Sequence, residues 1–153
     1  MTDRPDRPAA ADHLQLDPIL CRERQQRLIG VMVSRDIERV VLVQPEHVQY
    51  LTGFRTPHVL LKTVTALDVD GHCTLVAPNS CPDDTAADTV VTFEAQWHST
   101  LRQEQPEESC RALTDALHTR PVTGHVGVEF STFGPHFHAA FHPTGSAQLL
   151  DIE

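Results

Sequence analysis

At 153 residues the chain has the length of one domain, enough to bury about two-thirds of its unfolded surface with no disulfide or metal staple. Lys+Arg 12 against Asp+Glu 21 gives a net charge of -9, which repels phosphate backbones and anionic lipid and so argues against nucleic-acid and membrane partners. No apolar stretch approaches the ~18–20 residues of a transmembrane helix, and the opening MTDRPDRPAAADH has no apolar core of a secretory signal. The four cysteines (Cys21, Cys73, Cys81, Cys110) are scattered, with no C-x-x-C pair, and fit reduced thiols in a cytoplasmic protein.

Residues 1–13, rich in Pro, Asp, Arg and Ala, read as a flexible tail, and residues 14–153 as one domain. Asp17-Pro18 is a helix start, with Asp as N-cap and Pro at the first helical position. The helix Pro18–Ser34 sets Leu20, Leu28, Ile29 and Met32 toward the core and Arg22, Glu23, Arg24 and Gln25 toward solvent. Arg39–Val43 is a short apolar strand of the kind buried on both faces. Pro45–Leu51 is a short helix, and Gly53 supplies its left-handed stop. His58–Asp68 and His72–Pro78 read as strands joined by an Asp70-Gly71 hairpin turn.

Asn79–Ala87 follows as a loop or short helix, then the strand Thr89–Phe93. Glu104–His118 reads as a helix with Cys110, Leu113 and Leu117 on its apolar face. Pro121–Gly124 is a turn, Val126–Glu129 a strand, Pro135–Phe141 a short helix and Ala147–Ile152 a last strand. Mixed helices and strands with one hairpin and several crossovers make an α/β domain on a mixed β-sheet flanked by helices.

The unit RVVLVQPEHVQYLTGF (Arg39–Phe54) carries a strand, a short helix and the closing Tyr50-Leu51-Thr52-Gly53-Phe54. Together with Arg24 and Leu28, the hairpin Val64–Val76, the strand Gly127-Val128-Glu129 and the closing Ala147–Asp151, it resembles the N-terminal domain of the creatinase, prolidase and aminopeptidase P family. The resemblance runs from about Arg24 to Ile152. It implies a creatinase N-terminal domain-like fold, akin to a ribonuclease H-like motif without that enzyme's acidic cluster.

The resemblance also implies a function. In the family a separate pita-bread domain binds two divalent metals (Mn, Co or Zn) through two Asp, one His and two Glu, and cleaves bonds before or after proline; the creatinase branch hydrolyses creatine. Two-metal hydrolysis needs bridging carboxylates around a shared water. Asp68 and Asp70, or Asp83 and Asp84, have no matching His and Glu partners, so no catalytic residue and no metal ligand is assigned within this chain. The expected partners are the catalytic domain of the same polypeptide, a neighbouring subunit in a dimer, and peptide substrate at the parent active site. Phe54, Arg55, His58 and Lys62 fall in the region that, in family dimers, reaches the neighbour's active site, and are the expected substrate-lining residues. A cation there suits a substrate carboxylate. The contrasting expectation is a stand-alone, non-enzymatic binding module with a peptidase-like fold, as in histone chaperones.

Other constellations weigh less. His138 and His142 share a helical face in HFHAAFH with His136 beside them, yet no acidic or cysteine ligand is near, and surface histidines flanking a buried Phe137 and Phe141 account for the pattern. No G-x-S-x-G elbow accompanies the serines, and no glycine-rich phosphate loop is present. Trp97, the one tryptophan, reads as a buried anchor.

Overall fold

The computed structural model describes residues 16–97, 100–141 and 147–153, and the expected tail of residues 1–13 lies outside them. Helix α1 (Pro18–Ser34) begins where Oδ1 of Asp17 accepts the Ile19 N–H at 2.9 Å. Strand β1 (Ile37–Leu42) starts two residues earlier than the apolar run suggests, after a turn in which Asp36 takes φ 56. Helix α2 (Pro45–Thr52) stops at Gly53, whose φ is 79. The chain continues through β2 (Val64–Asp68), β3 (Cys73–Pro78), β4 (Thr89–Phe93), β5 (Gln96–Trp97), β6 (Thr100–Leu101), α3 (Gln105–Ala116), β7 (His125–Val128), α4 (Gly134–Phe141) and β8 (Gln148–Asp151).

Six strands form one mixed sheet in the order β4-β3-β2-β1-β7-β8, and β5 and β6 form a separate two-stranded ribbon. Only β2 runs against its neighbours; β3 with β4, β1 with β7 and β7 with β8 are parallel. The strands β1, β3, β4, β7 and β8 therefore all end on one edge of the sheet. β1 is central, and its side chains alternate between two cores. Val41 joins Val64, Val76, Val126, Phe133, Leu113 and Phe137 under α3 and α4. Val40 and Leu42 join Met32, Leu51, Leu67 and Cys73 under α1 and α2. The result is three layers, helices on each face of the sheet, as the α/β reading requires.

Four local readings are corrected. The expected strand from His58 begins only at Val64, because its partner Val76 sits two residues from the end of β3 and leaves nothing for residues 58–61 to pair with. Those residues turn instead: the Leu61 N–H donates to the His58 carbonyl at 3.0 Å and the Leu60 N–H to His58 Nδ1 at 3.2 Å. Gln25, read as solvent-facing, is buried, and its Nε2 donates to the carbonyls of Leu51 at 2.8 Å and Ala86 at 2.7 Å. Leu20, read as core, is exposed. The β5–β6 ribbon lies in a segment with no strand reading, its strands being too short to show a period.

Candidate functional site

Helix α2 leaves the end of β1 and packs on the α1 face, whereas α4 leaves the end of the adjacent strand β7 and packs on the α3 face. Neighbouring parallel strands whose chains depart to opposite faces open a crevice at their carboxyl ends, the usual ligand position in open α/β sheets. Here that edge carries the start of α2, the segment 54–63 before β2, the start of α3 and the turn after β7.

Each expected substrate-lining residue falls on or near this edge. Phe54 is 3% exposed and packs with Val48, Leu75 and Ala77, so it anchors the segment from beneath. Arg55 is half-buried, with Nη1 donating to Gln49 Oε1 at 3.3 Å. His58 is exposed and caps its own turn through Nδ1. Val59, at 79%, and Leu60, at 54%, form an exposed apolar tip. Lys62 is exposed, and its backbone N–H donates to Oε1 of Gln105 at 3.1 Å. Gln105 is buried and also donates from Nε2 to the Arg102 carbonyl at 3.1 Å, so it fixes the segment 54–63 against the start of α3.

Two residues of this edge form a pair that no sequence motif marks. Glu129, one position past β7, is 3% exposed, and its Oε1 is met by Nδ1 of the half-exposed His47 in the first turn of α2. Its other oxygen, Oε2, has no hydrogen-bond partner among the described residues. Burying a carboxylate is costly unless it is paired, and the positive end of α2 lowers that cost. No spacing in the sequence links positions 47 and 129; only the parallel pairing of β1 with β7 brings them together.

Between α2, α3 and α4 lies a cavity of about 520 Å³. Its walls include Val43, Pro45, Pro106, Phe133, Pro135 and Phe137, and Lys62, Ser109 and His136 add polar groups. His138 lies elsewhere, edge-on to the Phe133 ring with centroids 5.1 Å apart. His142 and the side chain of Trp97 lie outside the described residues.

The acidic pair of the hairpin is engaged structurally. Arg39 Nε donates to Asp68 Oδ1 at 2.5 Å, Arg120 Nε donates to Asp68 Oδ2 at 2.7 Å, and Arg120 Nη2 reaches Asp70. The His72 N–H and then Arg120 hold the Asp70 carboxyl below the usual range. Asp68 and Asp70 thus do not fit a two-metal site, and among the described residues no group of three or more His, Cys, Asp and Glu is placed to hold a metal ion. All four cysteines are free thiols, and burial pushes those of Cys73 and Cys110 up to about 11, which removes them from nucleophilic chemistry near neutral pH. Among the described residues no helix is long and apolar enough to cross a membrane.

The family model for the creatinase/prolidase N-terminal domain matches residues 24–153. The chain belongs to that family. Solved structures agree in fold. The creatinase/prolidase N-terminal domain of an X-Pro dipeptidase from Streptococcus pyogenes is 13% identical, with a TM-score of 0.59, covering 86% of this chain and 94% of that one. A proline dipeptidase from Streptococcus agalactiae is 16% identical, with a TM-score of 0.60 and coverage of 86% and 93%. A dipeptidase from Pyrococcus horikoshii is 14% identical with a TM-score of 0.57; the match covers 84% of this chain and 34% of that longer one. No curated protein matches the chain. At these identities the likeness establishes the family's N-terminal fold and leaves the roles of individual side chains to local geometry.

Proposed function

We propose that residues 14–153 are the non-catalytic N-terminal domain of a cytoplasmic, proline-specific metallopeptidase, a Xaa-Pro dipeptidase or aminopeptidase. In this reading two divalent metals, Mn, Co or Zn, are held by a catalytic domain of the same polypeptide. The N-terminal domain supports a dimer and narrows the path of peptide substrate into a neighbouring subunit's active site. The observation that carries the reading is the segment 54–63: an exposed tip at Val59 and Leu60 on a turn anchored below by Phe54 and tied to α3 through Gln105. An apolar tip exposed to water supports this reading, because a neighbouring subunit or domain would cover it. Beside it, Arg55, His58 and Lys62 offer donors to a peptide's carbonyls or carboxylate.

The test uses the polypeptide in which this domain is joined to a metal-binding half. Purified with Mn²⁺, it should hydrolyse Xaa-Pro dipeptides or Xaa-Pro tripeptides, whereas the 153-residue chain should not. Arg55→Ala and His58→Ala in the joined protein should raise KM and leave metal content unchanged. Chelator-sensitive hydrolysis by the 153-residue chain alone would sink the reading, as would wild-type KM in both variants.

A further inference from the structure

The cavity between α2, α3 and α4 is lined by residues of three helices and the segment before β2. On a protein with Asp+Glu 21, none of the described residues lining it is acidic. Glu129, the carboxylate nearest in sequence to the cavity turn Thr132–Pro135, is buried against His47 instead. Glu108, on the lining helix α3, is drawn to Arg102 and Arg111. Lys62 lines the cavity, and its ammonium has no ion-pair partner among the described residues. Three helices begin at the wall, α2 at Pro45, α3 at Gln105-Pro106 and α4 at Gly134-Pro135, and the first residues of α2 and α3 lack a side-chain cap. Glu46 in the first turn of α2 and Glu107 and Glu108 in that of α3 offset the positive ends of those helices, so Lys62 is the charge that an anion in this otherwise apolar hollow would meet.

We propose that this cavity is a binding site for a small organic anion: a carboxylate on an apolar body, seated with its ring or chain against Phe133, Phe137 and Pro106 and its charge toward Lys62. The volume of about 520 Å³ lies within the range usual for small-molecule sites. Apolar walls supply affinity, and a single cation with few competing donors supplies selection for charge. The site shares Lys62 with the peptidase reading, but its binding is read on the 153-residue chain with neither a catalytic half nor a second subunit, so the two readings fail separately. The carboxylate can come from a free organic acid or from the C-terminus of a short peptide.

Both sources are tested on the 153-residue chain by amide-resolved NMR titration. The probes are 3-phenylpropanoate, its neutral amide, N-acetyl-Gly-Phe with a free C-terminus, and the same peptide amidated. At least one acid should bind with a Kd of about 1 mM or tighter, shifting Ser109, Thr132 and Phe137 together. Its amide should bind about tenfold more weakly. Lys62→Gln should weaken the acid and leave the amide unchanged, with the melting temperature retained, and Lys62→Arg should restore acid binding. If acid and amide bind alike, if the shifts fall away from α3 and α4, or if no probe saturates, the proposal is wrong.

Discussion

Arg39 and Asp68 stand directly opposite each other across the β1–β2 ladder, and the guanidinium of one grips the carboxylate of the other at two points, 2.5 and 3.0 Å. Their side chains are 4% and 8% exposed, and Arg39 also donates to the Arg120 carbonyl at 2.8 Å. The pair therefore ties the hairpin to the turn that leads into β7. Removing Asp68 leaves the buried Arg39 charge unmatched, which costs about 3–5 kcal/mol, whereas removing Arg39 leaves Asp68 still held by Arg120. Asp68→Asn should lower stability on that scale by urea denaturation, Arg39→Met should cost less because Arg120 still pairs with Asp68, and the double variant should be less destabilised than the sum of the two. Strict additivity would mean the two charges act independently.

Gly53 sits at φ 79 with the Leu16 carbonyl oxygen 2.7 Å from where a Cβ would stand. That oxygen belongs to rigid backbone, and the Leu16 N–H itself donates to the Gly53 carbonyl at 3.2 Å. Gly53→Val meets both a disfavoured backbone region and a clash, so stability should fall by more than ~1 kcal/mol. Thermal melts of Gly53→Ala and Gly53→Val would show the effect, with valine the worse. Equal melting temperatures for wild type and Gly53→Val would show that α2 can end another way.

Gln25 holds the end of α2 and the turn before β4 through two carbonyls. Gln25→Leu keeps the volume and strands both acceptors, a cost of about 1–3 kcal/mol. Hydrogen exchange should report it locally, with faster exchange at the Gly53 and Ala86 amides, which bond to Gln49 and Thr52. Uniform change across the sheet instead would assign Gln25 a global role.

Asp88 carries the pH dependence most open to measurement. Burial on its own would raise its pKa, but the Arg22 fork, at 3.0 Å to each oxygen, and the Cys73 N–H at 2.7 Å outweigh it and hold the carboxyl below its usual value. A carboxyl with a lowered folded pKa binds fewer protons in the native state than in the unfolded chain. Its stabilisation is present above the unfolded value of about 3.9 and is lost as pH falls through the folded one. Asp88→Asn should therefore flatten the fall in melting temperature between about pH 4 and pH 2, and change its slope little above about pH 5. An unchanged acid limb would remove Asp88 from the linkage.

The sequence by itself determined the parts whose signals are local. Asp17-Pro18 starts a helix because the side chain and the missing N–H act within one turn; Pro45 and Gly53 bracket α2 for the same reason, and Asp70-Gly71 closes the hairpin. The ordered run of these units along Arg24–Ile152 also carried the family, since short-range constraints survive where overall identity does not. Tertiary structure decided the rest. Residues 58–61 look like a strand but turn, because a strand exists only where a neighbour offers a register. Gln25 looks like surface but is buried, because its acceptors lie 26 and 61 positions away. His47 meets Glu129, and Lys62 shares a cavity with Phe133 and Phe137, only because β7 inserts beside β1 from the far end of the chain. A site built at the carboxyl ends of adjacent parallel strands draws on segments separated by whole crossovers, so no periodicity or motif along the chain encodes it.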